Sequence, residues 1–220
     1  MSHEAIIDLY ERHAADFDLD RSRSLFERPW LDRFLAHVTE SGTVLDIGCG
    51  MAEPIARYVI ESGRRIVGVD SSPSMIALCR ARFPRSDWFV ADMRSLALAR
   101  RFDGILAWDS FFHLHMDHQS RMFARFAAHA NPGAPLMFTS GTAHGEAIGS
   151  YHGEPLYHGS LDPAEYEALL AQNGFAVRAH QAGDPQCADH TIWLATYDGL
   201  AGAGSTHPRP QGPAAGVASG

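Results

Sequence analysis

The segment Val44-Leu45-Asp46-Ile47-Gly48-Cys49-Gly50 decides the fold. An apolar, β-branched run ends at a carboxylate and two glycines, and residues 52–62 continue with helical character. A strand therefore passes through a glycine turn into a helix. Glycine lets the backbone approach a ligand closely, and the first turn of a helix offers unpaired N–H groups.

The same unit recurs along the chain. Runs at 43–47, 65–69, 88–90, 102–107 and 134–139 read as strands, and 52–62, 73–83 and 119–130 read as helices between them. The connection 92–101 has room for a turn of helix only. Strand–helix alternation at this spacing predicts parallel βαβ units with right-handed crossovers. Two helices, at 4–15 and 22–37, precede the sheet. A glycine- and histidine-containing irregular segment at 140–160 follows the fifth strand, and a helix at 163–173 comes next, with Ser160 or Asp162 as its cap. Residues 175–180 and 191–197 read as an antiparallel hairpin that ends the sheet. The expected fold is α/β: a Rossmann-like doubly wound sheet, mostly parallel, with an antiparallel C-terminal hairpin strand, helices on both faces and an N-terminal helical cap. Residues 1–198 form one domain, and the Gly/Ala/Pro/Ser-rich stretch 199–220 reads as a disordered tail.

Acids stand at the strand ends: Asp46, Asp70, Asp92 and Asp109. In such a sheet they share the edge where ligands bind. For Asp109 a turn-forming role is the simpler reading. A dinucleotide-binding GxGxxG fingerprint is the first competitor, and it fails twice. Glu53 occupies the third glycine position, and Asp46 precedes the first glycine where an apolar residue is expected. A carboxylate there repels a pyrophosphate and favours an ammonium group or sugar hydroxyls.

Four motifs, VLDIGCG (44–50), VGVDSSPSMI (67–76), VADMRSL (90–96) and FDGILAWDSFFHL (102–114), resemble in order and spacing those of the class I S-adenosylmethionine-dependent methyltransferases. The resemblance covers about residues 40–140, and the flanks are similar to the family's small-molecule members. It implies S-adenosyl-L-methionine as the cofactor. It implies that Asp46 faces the methionine end, with Gly48 and Gly50 passing under the cofactor. Asp70 accepts from both ribose hydroxyls. Ser71 and Met75 flank the adenine, Asp92 accepts from its amino group, and Met93 packs on the ring. Trp108 closes the strand-four end near the sulfonium, and Tyr10 is the N-terminal residue that reaches the methionine carboxylate. Glu53 and Pro54 depart from the family's glycine loop, but a proline in the first helical turn is tolerated.

Composition narrows the chemistry. The 220 residues carry 18 basic and 26 acidic side chains, a net charge of −8, and every basic residue is arginine. The absence of lysine removes Schiff-base chemistry and the phosphate-loop lysine. An acidic chain argues against nucleic acid as a partner, as does the lack of an Asn/Asp-Pro-Pro-Tyr pattern after strand four. Cys49, Cys79 and Cys187 form no CxxC pair, which fits a reduced cytoplasmic compartment. The opening residues lack a basic and an apolar signal region, and no apolar run is long enough for a membrane span.

The run His113-x-His115-x-Asp117-His118 has the spacing of a zinc-binding segment. Its place directly after strand four favours a non-metal role, so no metal site is expected. His113 is instead the candidate general base, because imidazole titrates near operating pH. His144 and His152, with Tyr151 and Tyr157, belong to the 141–160 insert, expected to close as a lid over Trp108 and His113 and to form the acceptor pocket with the N-terminal helices.

The expected function is methyl transfer to a small-molecule acceptor, through oxygen, nitrogen or sulfur, by a monomer or homodimer. Other chemistry on the same cofactor, or a non-catalytic cofactor-binding regulator, are the alternatives that a shared fold leaves open.

Overall fold

In the computed structural model, residues 5–199 are described; the expected tail therefore lies, except for Gly199, outside the described residues. Strands β1 (Thr43–Ile47), β2 (Arg65–Asp70), β3 (Asp87–Val90), β4 (Gly104–Ala107) and β5 (Pro135–Ser140) are parallel. Strands β8 (Phe175–Asp184) and β9 (His190–Tyr197) complete one sheet in the order β3-β2-β1-β4-β5-β9-β8. Strand β9 runs antiparallel to both β5 and β8. The chain reverses across the sheet between β1 and β4, and ligands bind outside the carboxyl ends of strands at such a switch point.

Strand residues alternate between two apolar layers, as they must when a parallel sheet is covered on both faces. Leu45, Ile47, Ile105, Ala107 and Phe138 pack with Phe123, Phe126 and Tyr166, beneath α6 (Met116–His129) and α7 (Pro163–Gln172). Val44, Ile66, Leu106, Trp108 and Met137 pack on the opposite face, beneath α3 (Arg28–Leu35), α4 (Ile55–Glu61) and α5 (Pro73–Arg82).

Three expectations need correction. The N-terminal cap consists of α1 (Ile6–Arg12), α2 (Ala14–Asp20) and α3 rather than two helices. His13 has non-helical dihedrals between α1 and α2, and Arg21 is extended after α2. Second, 140–160 is not irregular. It forms a two-stranded antiparallel hairpin, β6 (Gly145–Tyr151) and β7 (Glu154–Ser160), turned at His152 and Gly153, both with positive φ. Its glycines and polar residues suit a ribbon in which β6 is exposed and β7 buries only its C-terminal half, which leaves little apolar period to read. Third, Trp108 points away from the expected site. It continues the alternation of Leu106, so its ring enters the layer under α3 and stacks on His190, with centroids 5.4 Å apart.

Candidate active site

The glycine turn after β1 is held by backbone and by one carboxylate. Gly48 and Cys49 N–H groups donate to the Val69 carbonyl at 2.8 and 3.0 Å. Gly48 has φ +75°, and a Cβ there would lie 2.3 Å from the Ser110 Cβ, so only glycine fits. Ser110 donates its hydroxyl to the Ile47 carbonyl at 2.7 Å, which fixes the chain leaving β4 against the turn leaving β1.

Asp70 closes this arrangement from β2. Its Oδ2 accepts from Gly50 N–H and its Oδ1 from Ser72 N–H, both at 2.9 Å. These bonds hold the carboxylate in one orientation while it borders the cavity above. Burial nevertheless raises its pKa against the opposing pull of the backbone N–H groups. Asp46 lies deeper, 5% exposed, with no cation paired to it among the described residues. Burial, reinforced by the Asp70 charge, pushes its pKa up to about 7. A buried carboxylate without a counter-ion is a site waiting for a cation.

A cavity opens over these groups. Of the expected site residues, Tyr10, Gly48, Gly50, Asp70, Ser71, Met75, Asp92, Met93 and His113 line it. Neither Asp46 nor Trp108, nor any residue of the 141–160 insert expected to close over it, is among its lining residues. At one end Asp92 caps the 3₁₀ turn Met93–Ser95, and Arg94 grips its carboxylate at 2.6–3.0 Å. This pair lowers the Asp92 pKa even though burial opposes it.

The N-terminal cap roofs the cavity with Ile6, Ile7, Tyr10 and Phe17. Glu11 docks α1 onto the start of α5, accepting from Ser74 Oγ at 2.6 Å and Ser74 N–H at 3.1 Å, and from the Ser72 hydroxyl. A carboxylate at a helix N-terminus is electrostatically favoured. Asp18 in α2 pairs with Arg82 at the far end of α5.

At the other end stands His113, in the 3₁₀ turn Phe111–His113 after β4. Its Nδ1 lies 2.9 Å from the Tyr157 carbonyl and its Nε2 3.0 Å from the Tyr10 hydroxyl. A carbonyl only accepts, so Nδ1 carries the proton and Nε2 accepts from Tyr10. Burial pushes the His113 pKa down to about 4, and the neutral ring suits a hydrogen-bond acceptor better than a proton carrier at neutral pH. The rest of the zinc-like run belongs to the start of α6: His115 caps the helix by accepting from Asp117 N–H at 3.3 Å, and His118 follows in its first turn. Among the described residues, groups with metal-ligand character converge elsewhere, at His13–Asp16–His152 and at His144–Asp162–Glu165.

Sequence reasoning missed Ile6, Ile7, Phe17, Ser110, Leu114 and Asp109 as lining residues. The helix-period signal of 4–15 showed that a cap exists but not which side chains it lowers onto the sheet edge. Asp109 did carry a signal, as the fourth acid in a series of strand-end acids.

Residues 44–133 match the Methyltransferase domain family. The matched stretch holds the glycine turn, Asp70, Asp92 and Asp109. The chain is 32% identical over 123 residues to trans-aconitate 2-methyltransferase of Azoarcus sp. (strain BH72), covering 56% of this chain and 45% of that protein. It is 31% identical over 99 residues to dTDP-3-amino-3,6-dideoxy-alpha-D-glucopyranose N,N-dimethyltransferase of Streptomyces fradiae, covering 44% of this chain and 38% of that protein. The chain thus spans less than half the length of these two relatives. A solved structure with the same fold is 1,6-didemethyltoxoflavin-N1-methyltransferase of Burkholderia thailandensis, with S-adenosylhomocysteine and 1,6-didemethyltoxoflavin bound. Its TM-score is 0.66 at 22% identity, covering 86% of this chain and 84% of that one. In the matched stretch, the glycine turn, Asp70 and the Asp46 carboxylate fit the chemistry of S-adenosyl-L-methionine: hydroxyls for one carboxylate, an ammonium for the other.

Proposed function

We propose that this chain transfers a methyl group from S-adenosyl-L-methionine to a small-molecule acceptor. One observation carries the reading: the cavity does not end at the cofactor-binding acids but continues under the cap to Asp109 and His113. A protein that only sensed the cofactor would need no such extension. When bound, the cofactor supplies a methyl group on a sulfonium, and an acceptor lone pair takes that methyl as the carbon–sulfur bond pair returns to sulfur.

The chain's own residues bind, orient and exclude water. Asp70 holds the sugar hydroxyls, Asp46 the ammonium, and Asp92 with Met93 the base. Tyr10 and Phe17 roof the cavity, so displacement proceeds in a dry, oriented site, where proximity supplies much of the acceleration. His113 positions the Tyr10 hydroxyl by accepting its hydrogen bond. The test is a methyl-donor assay against a metabolite extract with mass readout. The expected result is an acceptor that gains one methylene unit while S-adenosylhomocysteine accumulates. Binding of S-adenosylmethionine without turnover of any component would favour the regulator instead.

A further inference from the structure

Asp109 leaves β4 in a left-handed conformation, φ +47°, which a non-glycine residue adopts only under constraint. The constraint is a closed set of hydrogen bonds. Its N–H donates to Thr139 Oγ1 at 2.9 Å, and Thr139 Oγ1 donates back to Asp109 Oδ1 at 3.2 Å. His190 Nε2 lies 2.9 Å from Oδ1 and 3.0 Å from Oδ2. On its other side, His190 Nδ1 lies 2.8 Å from the Cys187 carbonyl and 3.2 Å from the Ala188 carbonyl. Both ring nitrogens face groups that only accept, so the ring satisfies all of them only as an imidazolium, a donor at each nitrogen. Trp108 stacks on that ring, a favourable place for a cation. Burial opposes the charge of His190, and the Asp109 carboxylate with the two carbonyls overcomes it and raises its pKa.

The pair has a direction. His190 lies behind, beneath Trp108 and beside Phe26, while Asp109 lines the cavity with its side chain 30% exposed. The negative end of a fixed dipole therefore faces the acceptor end. Of the other polar groups there, the Tyr10 hydroxyl is spent on His113 and both His113 nitrogens are engaged. Among the described residues lining the cavity, the cation is Arg94, bound to Asp92 at the adenine end. The acceptor end thus holds an oriented carboxylate and the rings of Tyr10 and Phe17, and it presents no cation to an anionic acceptor.

We propose that Asp109, held by Thr139 and by the positioning residue His190, anchors the methyl acceptor, and that the acceptor is an amine entering as its ammonium, which gives one proton to the Asp109 carboxylate so that the freed lone pair takes the methyl, the proton passing to water when the product leaves. The inference rests on the methyltransferase reading above and narrows it. A carboxylate acceptor of the trans-aconitate kind would meet like-charge repulsion at Asp109. An amine forms a charge-assisted hydrogen bond to it with the ring faces around its alkyl groups.

Titration calorimetry with two cofactor analogues tests this without turnover. S-adenosylhomocysteine is neutral where the methyl would leave. Sinefungin carries an ammonium there, directed at the acceptor end. Wild type should bind sinefungin more tightly than S-adenosylhomocysteine. Asp109→Asn, which keeps the side chain's shape, should weaken sinefungin about tenfold and leave S-adenosylhomocysteine within about twofold. His190→Gln should shift the same ratio in the same direction, a change that a merely structural residue would not produce. A panel of primary amines and carboxylic acids of matched size, scored by mass, should give methylated amines only. An unchanged sinefungin preference in folded Asp109→Asn, or methylation of a carboxylic acid, overturns the anchor. Failure of wild type to bind S-adenosylhomocysteine at all overturns the methyltransferase reading, and the anchor with it.

Discussion

The Tyr10 hydroxyl donates to His113 Nε2 at 3.0 Å, joining α1 to the turn after β4 across 103 residues of chain. The Tyr157 carbonyl fixes the tautomer that makes this possible. Burial, with the Asp109 charge, raises the Tyr10 pKa, so its hydroxyl keeps the proton it donates. Cap, sheet edge and hairpin meet at this one imidazole. Tyr10→Phe removes the donor and leaves Nε2 buried without a partner. The expected loss is about 1–3 kcal/mol of stability, read as a lower urea midpoint at unchanged slope. An unchanged midpoint would mean that Nε2 finds water in the variant.

His113 also predicts an acid sensitivity. Its folded pKa is pushed down to about 4, while the unfolded chain takes up that proton at about 6.5. The unfolded state therefore binds more protons between these values. The contribution of neutral His113 is complete above pH 6.5 and is lost as pH falls toward 4, by up to about 3 kcal/mol. In denaturant titrations from pH 7.5 to 4.5, the difference between wild type and His113→Gln should narrow or reverse as pH falls. A difference independent of pH would show that the ring is not held neutral.

Asp70 should dominate cofactor affinity. Its two backbone bonds fix the carboxylate before any ligand arrives, so no ordering is needed on binding. Asp70→Ala should weaken S-adenosylhomocysteine by roughly tenfold to a hundredfold, about 1.5–3 kcal/mol. Asp70→Asn should be milder, since the amide keeps one acceptor. Calorimetry showing unchanged affinity for the alanine variant would remove the ribose assignment.

Asp46 links binding to pH. Burial pushes its pKa up to about 7 in the free protein, and pairing with an ammonium favours the charged form. Ligand binding should therefore release a proton, and affinity should fall as pH drops below about 7. The raised pKa also means that Asp46 favours folding below the unfolded value of about 3.9, and that this support is lost as pH rises through 7. Asp46→Asn removes the uncompensated charge. It should melt higher than wild type at pH 8, bind S-adenosylhomocysteine more weakly and show little pH dependence of binding. Equal heats of binding in buffers of different ionisation enthalpy would contradict the proton release.

The sheet and its ligand edge were legible because β1 to β4 are short apolar runs that end at or near an acid, Asp46, Asp70, Asp92 and Asp109. Gly48 could be read from the need for a tight turn, and a Cβ there does strike Ser110. What escaped was information carried by tertiary approach. Trp108 follows the alternation of Leu106 into the layer under α3, so strand parity could have overruled its expected role. Asp109 reads as a turn former until His190, 81 residues later, supplies its cation. In the 140–160 hairpin β6 is exposed along its length and β7 buries only Tyr157, Gly159 and Ser160, which leaves too little apolar period to read in the sequence.

The hairpin tip and the cap are joined by an exposed clasp. Glu154 pairs with Arg12 and lies 2.7 Å from His13 Nε2, while His13 Nδ1 lies 3.0 Å from Asp16. His152 Nε2 is 2.7 Å from Asp20, which also accepts from Tyr151 at 3.2 Å. Hydrogen bonds to Asp16 and then Glu154 raise the His13 pKa. Its contribution is therefore complete below the unfolded value and is lost as pH rises through the folded one. Exposed pairs of this kind are individually weak and screened by salt, so their loss should free the hairpin locally without unfolding the sheet. Amide exchange in 145–160 should quicken severalfold from pH 6 to 9, after correction for intrinsic chemistry, and again in 0.5 M salt (about 4 Å screening length). Glu154→Gln should produce the same acceleration at pH 6. Protection in β1 and β4 should not change. Exchange in the hairpin that ignores both salt and Glu154→Gln would show that its own ladder, rather than the clasp, holds it in place.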